Sequence, residues 1–344
     1  MTVAQESQRI LRELTEISAQ YFNFNPPTFP SSEDQDLQST LFQNQSIVSG
    51  FGMGKDDKGA FYVRVYTSKK VKMNIENPLI AGCQAQYVFL GKDVLFNNPI
   101  PHPSPKYFID NGKFTCGSSI GAIDDFTNKP FAGTLGAIVK IGNQHFGLSN
   151  NHVFAGFNFY PKNKPFNMPA PMDTAPTQTA RTETIGRLAN IFPLAFGGPD
   201  FVTTNPMDAA LIKIDDVTKV SSKQGTFFDS PTRAKDPTQG MKVKKVGRTS
   251  GQTFGTVEAV TPLKRLNTDE KRIPFFLCGP MWEVAPQEKG TVFSEGGDSG
   301  SLIVTEDEQF AVGLLVAGSK SGTTFIIPIQ PILSHFGAQI VNGL

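Results

Sequence analysis

The chain has 344 residues, 39% of them apolar, and 32 Lys and Arg against 31 Asp and Glu give it a net charge of +1. So even a balance excludes recruitment to nucleic acid or an anionic membrane by bulk charge, and the apolar share excludes disorder along the whole length. No run of about 18 apolar residues occurs, which excludes a helical membrane span, and the length suits two or three domains.

In chain order, residues 5–22 spell an amphipathic helix, because Ile10, Leu14, Ile17 and Tyr21 recur on one stripe. Charges run through this N-terminus, unlike the apolar core of a signal peptide. The stripe either docks on the domain that follows or receives a partner, a second copy of the chain included. Residues 1–24 therefore form a helical segment, and 25–45, with the proline-rich and acidic NPPTFPSSEDQD, form a linker. Residues 46–125 form a small mixed α+β module. In it, Phe61, Val63 and Val65 alternate with Tyr62, Arg64 and Tyr66, the period of a half-buried strand. From 126 to 344 the texture is mainly β, with short apolar runs such as GTLGAIVKI, DAALIKID and SGSLIVT split by Gly, Asn, Pro or charge. Such spacing predicts a barrel or sandwich rather than a parallel sheet. Residues 157–185 read as a long loop, 217–240 as a join between two halves, and ILSHFGAQIV as a terminal helix. Cys83, Cys116 and Cys278 are scattered and show no CxxC spacing, which points to a reducing, cytoplasmic setting.

Three segments carry candidate chemistry. His152 ends an apolar strand in LSNNHVFAG, Asp208 opens one in NPMDAALIKID, and Ser299 sits in the glycine-dense turn SEGGDSGSLIV. A serine hydroxyl is a poor nucleophile at neutral pH and needs an adjacent base. An imidazole suits that task, and a buried carboxylate fixes its tautomer and stabilises its charged form. Gly296, Gly297 and Gly300 allow a sharp turn that uncovers the hydroxyl. The same turn can aim the amides of Gly297 and Ser299 at one oxyanion. No HExxH, CxxC, EF-hand loop, P-loop or dinucleotide fingerprint is present, so no metal, nucleotide or other cofactor is expected. Lys242, Lys244 and Lys245 read as solvated strand surface rather than a nucleic-acid patch, and Arg248 as a turn, salt-bridge or substrate-contact residue.

LSNNHVFA, DAALIKI and GDSGSLIV resemble the His, Asp and Ser motifs of chymotrypsin/trypsin-fold serine peptidases, and the order His, Asp, Ser matches that fold. A GxSxG elbow is not met, because Ser301 stands where its last glycine belongs. With GTLGAIVK, VKKVGRTSGQTFGTV and the GxGxK…VRVYTSKK module, the chain is similar over 48–335 to the intracellular bacterial and plant group that includes the plant Narrow Leaf protein. The resemblance implies two six-stranded antiparallel barrels, at about 130–218 and 240–335, with the site between them. It implies a serine endopeptidase acting on proteins or peptides, with His152 as base, Asp208 as its orienter and Ser299 as nucleophile. Phe293, Val316, Ala317 and Gly318 would then line an apolar or small substrate pocket. Asp298 stands where zymogen-derived relatives pair an aspartate with a new N-terminal amine. No activation cleavage site is evident, so the resemblance leaves two outcomes open. One is a latent protease switched on by a partner or ligand, and the other a silent binding or scaffold protein.

Overall fold

The computed structural model describes residues 2–22, 47–70, 79–91, 93–94, 107–174, 182–194, 207–268, 275–319 and 322–344. The expected linker at 25–45 and Lys320 lie outside them. The amphipathic stripe becomes helix α1 (Val3–Phe22), which lies on a sheet of β1 (Val48–Lys55), β2 (Phe61–Thr67) and β3 (Cys83–Phe89). Ile10 and Leu14 are fully buried against Phe51, Val63 and Val65, each burial contributing roughly 1.5–3 kcal/mol. The stripe is thus covered within the chain itself. A two-residue strand, β4 (Asp93–Val94), follows.

The next strands are β5 (Ser119–Ile123), β6 (Pro130–Thr134), β7 (Ala137–Ile141), β8 (Gln144–Ser149), β9 (Pro165–Met168), β10 (Glu183–Ile191) and β11 (Ala210–Ile214). They pair in the order β7-β8-β11-β10-β9-β5-β6, with Gln339–Ile340 beside β7. β6 and β7 are joined by the bend Leu135–Gly136 rather than by a ladder, so the hydrogen bonds of this sheet do not close a ring. Ile120, Leu135, Ile138, Val153, Phe166 and Ile212 fill its interior. β5 begins before residue 126, yet its partners are β6 and β9.

The last six main strands are β12 (Lys242–Gly247), β13 (Gly251–Thr261), β14 (Met281–Pro286), β15 (Leu302–Thr305), β16 (Ala311–Ser319) and β17 (Thr324–Pro328). Their ladder runs β12-β15-β16-β17-β14-β13 and returns to β12, a closed six-stranded antiparallel barrel with no free edge at the seam. Val243, Val257, Val284, Phe293, Ile303 and Ile326 make its core. The expected terminal helix forms as α3 (Ile329–Phe336) and ends on Gly337 in the left-handed region.

The N-terminal sheet continues into this barrel. β1 pairs with β13 at Met53 and Val260. Tyr66 donates to Glu283 at 2.7 Å, Arg64 meets the same carboxylate at 2.6 Å, and buried Lys264 donates to Ser49 at 2.8 Å. One apolar cluster joins Leu148 and Leu211 of the first half to Leu302, Leu314 and Phe325 of the second, so the halves share a core.

The halves approach closely at Gly136: a β-carbon there would lie 2.1 Å from the Gly300 carbonyl oxygen. The obstacle is backbone and cannot rotate away. Gly136→Ala is therefore expected to lower stability by about 1–3 kcal/mol, read as a lower denaturant midpoint with an unchanged slope. An unchanged midpoint would mean that the halves do not pack at this bend.

Candidate active site

The short helix α2 (Asn151–Phe154) starts directly after β8 and carries His152, while Asp208 sits just before the adjacent strand β11. Asp208 is fully buried, and one carboxylate oxygen accepts the His152 backbone N–H at 2.9 Å. The other lies 2.5 Å from Nδ1 of the same residue. Asn150 donates to the Asp208 carbonyl at 2.8 Å, which ties the two segments together a third time. A carboxylate at Nδ1 selects the tautomer with its proton there and leaves Nε2 as the basic nitrogen. Nε2 is buried and has no hydrogen-bond partner among the described residues.

A turn behind the ring holds it in place. Gly156, Phe157 and Asn158 have φ of 50°, 61° and 71°, and the left-handed region is unusual for a phenylalanine. The turn stacks Phe157 on His152 at 6.0 Å. It is clasped by Asn151 Nδ2 donating to Asn158 Oδ1 at 2.6 Å and by Asn158 N–H donating back to Asn151 Oδ1 at 3.1 Å. This clasp falls in the stretch expected as a plain long loop.

Ser299 lies on the loop that leads into β15. Gly297 and Gly300 take φ of 99° and 93°, a conformation that side chains resist. Ser299 Oγ donates to the Val316 carbonyl at 3.3 Å, long for an O–H···O bond, and not to the imidazole. The amides of Asp298, Gly300 and Ser301 are bonded within the protein, whereas those of Gly297 and Ser299 make no hydrogen bond among the described residues.

Asp298 finds its counter-charge inside the chain. Its buried carboxylate lies 3.0 Å from Lys245 Nζ and 2.5 Å from Ser250 Oγ, and accepts the N–H groups of Thr249, Ser250 and Glu295 at 2.8, 3.2 and 3.0 Å. Burial pushes this carboxyl up, but the ammonium and the four donors outweigh it and hold it below the ordinary range. Lys245 is therefore fully buried, and Lys244 is nearly so, which corrects the expectation of a solvated basic strand. β12 has barrel on both sides, and its hairpin turn with β13 points into the loop of Ser299.

A second buried pair connects the halves. Asp173, from the turn Pro171–Asp173, grips Arg248 through both carboxylate oxygens, with the Nε contact at 2.6 Å. Ser119 Oγ also donates to it. Arg248 rests against Gly297, where a β-carbon would meet its guanidinium at 2.4 Å. Thr134 of β6 completes the contact: its N–H donates to the Ser299 carbonyl at 2.9 Å and its hydroxyl to the Gly297 carbonyl at 2.8 Å. Its own carbonyl accepts from Ser149, three residues before His152, at 2.8 Å. A β-carbon at neighbouring Gly133 would touch both Val153 and the Ser299 carbonyl. The segments of His152 and Ser299 thus meet around Gly133 and Thr134.

Phe293 does not line an open pocket. It is enclosed among Val243, Val257 and Val284 in the barrel core. The next residue, Ser294, shares a 2.6 Å hydrogen bond with Thr324, opposite Gly318. Val316, Ala317 and Gly318 are buried on β16, and the Val316 carbonyl is the acceptor for Ser299. Arg248 is a salt-bridge residue and touches no surface. The three cysteines are free and buried, and burial pushes the Cys116 thiol up to about 12. Among the described residues no group of three His, Cys, Asp or Glu is placed to hold a metal. No described helix is long and apolar enough to cross a membrane.

Removing one partner of a buried ion pair leaves the other charge unsolvated, at a cost of about 3–5 kcal/mol. Asp173→Asn and Lys245→Met are each expected to lose that much in denaturant unfolding. The lowered Asp298 value adds a pH signature. Its contribution is complete above about pH 4, the ordinary carboxylate range, and is lost as pH falls through the folded value. Thermal midpoints should hold down to that range and then drop, and in Lys245→Met the drop should begin at higher pH.

No known protein-family model matches the chain. It is 31% identical over 226 residues to Protein NARROW LEAF 1 of Oryza sativa subsp. japonica, covering 61% of this chain and 38% of that protein. The chain thus spans well under two thirds of that relative's length. Among solved structures it is similar to Thermobifida fusca protease A at 19% identity, over 67% of this chain and 98% of that one, with a TM-score of 0.44. Cellulomonas bogoriensis chymotrypsin gives 15%, 66% and 98%, with a TM-score of 0.43. In sequence the chain is thus similar to the rice protein over part of its length, and the two solved structures are a protease and a chymotrypsin by name.

Proposed function

We propose that the chain is a serine endopeptidase that hydrolyses peptide bonds through an acyl-enzyme. His152 Nε2 takes the proton of Ser299 Oγ as the oxygen attacks the scissile carbonyl. The carbonyl oxygen, now an anion, is received by the amides of Gly297 and Ser299. His152 returns the proton to the leaving amine, and water repeats the cycle to release the acid. Asp208 holds the ring and balances its transient charge. The observation that carries this reading is an imidazole gripped by a buried carboxylate on Nδ1, with Nε2 unpartnered among the described residues. The two unengaged amides of the serine loop support it.

Three buried free thiols suit a reducing, cytoplasmic compartment. The Lys245–Asp298 pair supports a loop that needs no new N-terminus, so regulation, by a partner or ligand, would act on access rather than by cleavage. The N-terminal stripe is covered within the chain, so a partner or second copy would meet other faces of α1.

A fluorophosphonate probe is expected to label the wild-type protein at Ser299. Ser299→Ala should remove the label and keep the thermal midpoint. Asp208→Asn should slow peptide turnover by about 10⁴-fold, by analogy with the well-studied triad. A wild-type protein that stays unlabelled would instead favour the silent binding or scaffold reading.

A further inference from the structure

The coverage of β16 changes along its length. At residues 311–314 its edge is paired with β15. At Leu315 the ladder passes to the serine loop, with Gly300 N–H donating to the Leu315 carbonyl at 2.9 Å and Leu315 N–H to the Ser301 carbonyl at 3.0 Å. At Val316 the carbonyl receives Ser299 Oγ. Beyond, at Gly318 and Ser319, the partner is β4, in antiparallel register with Val94 opposite Gly318 and Asp93 opposite Ser319. The opposite edge is taken throughout by β17. Only Ala317 stands between the residue that contacts the nucleophile and the residue that pairs with Val94.

Among the described residues, the strand edge beside Ser299 with which an extended peptide presenting a carbonyl to it could pair is this one. Pairing there satisfies its backbone groups without reading its side chains. The register sets the positions. A peptide running from N to C towards Ser299 places the residue with the scissile carbonyl opposite Val316. The residue two before it then falls opposite Gly318, the slot held by Val94. Asp93–Val94 has the same polarity, since its numbering rises towards Ser299 as that of β16 falls.

We propose that Asp93–Val94 is an internal ligand of the strand edge that an extended peptide substrate must use, so that substrate binds by displacing it. This rests on Ser299 as the nucleophile. A small reagent that reacts at Ser299 without pairing to the edge does not compete with β4, whereas a peptide of three or more residues before the scissile bond does. The resting chain is then restrained in peptide binding while its chemistry stays assembled. If the paired form makes up about nine-tenths of the molecules, freeing the edge raises the apparent affinity for peptide about tenfold.

The test uses the full chain and Val94→Pro, which removes the N–H that the ladder needs, with Val94→Ala as a control that keeps it. In hydrogen exchange, the Gly318 amide is expected to be protected in wild type and Val94→Ala and to exchange faster in Val94→Pro, while the Ser319 amide, bonded to the Thr323 carbonyl, stays protected in all three. In kinetics, Val94→Pro should lower KM for an extended peptide ester about tenfold, while the rate of fluorophosphonate labelling stays at the wild-type value. Equal Gly318 exchange in all three proteins, or an unchanged KM in a protein that labels, would overturn the proposal. If no protein labels at Ser299, the peptidase reading fails, and exchange alone decides whether β4 holds the edge.

Discussion

A single buried carboxylate constrains the second half of this molecule. Asp298 lies one residue before the candidate nucleophile and has no exposure, so its charge must be answered in place. Five groups answer it, and all but the Glu295 amide come from the end of β12 or from its hairpin turn with β13. That demand fixes where the turn sits, which in turn holds the loop with Gly297 and Gly300 in conformations few other residues accept. It also explains a fully buried lysine in a barrel strand. The loop's geometry follows from an ion pair contained within one barrel.

Joining that barrel to His152 is a separate problem, solved by a second set of contacts. Thr134 bonds to the serine loop through its N–H and hydroxyl, and to the segment before His152 through its carbonyl. Arg248 and Asp173 brace the same place with a two-pronged pair. Such a pair adds geometric definition because both prongs must align together. Desolvating two ions offsets much of its Coulomb energy, so its role is better understood as orientation than as stability. The close backbone contacts at Gly133 and Gly136 serve the same end.

The strands of the β-rich part, the amphipathic helix and the segments of His152, Asp208 and Ser299 were legible because each follows a local period or a compact motif, and the barrel followed from the family resemblance. The stripe of Ile10 and Leu14 reports a buried face directly, and a period of two reports a strand. Lys245, Asp173 and Thr134 were not legible. Their roles depend on partners 53, 75 and 163 residues away, and nothing in KVKKVG or PAPMDT marks a lysine or aspartate as buried. Phe293 shows the same limit from the other side. Position relative to Ser299 suggested a pocket, whereas Phe293 packs into the barrel core and leaves neighbouring Ser294 to meet Thr324. Nor does sequence say which strand edge stays open, since that is settled by which distant segment arrives there.

These features separate two ways of restraining a peptidase. Where the nucleophile's loop waits for a new N-terminus, the resting protein lacks part of its chemistry, and cleavage supplies it once and irreversibly. Here the counter-charge is a lysine side chain of the same barrel, so loop order comes with folding. On the proposed peptidase reading, any restraint acts on something reversible, and the strand edge beside Ser299 is suited to it. Displacing a two-residue strand leaves β16 its other ladder on β17. Competition of this kind responds in proportion to substrate concentration or to any partner that draws β4 away. It also discriminates by form, favouring extended peptide over folded protein, since only an extended segment can replace the ladder that β4 makes.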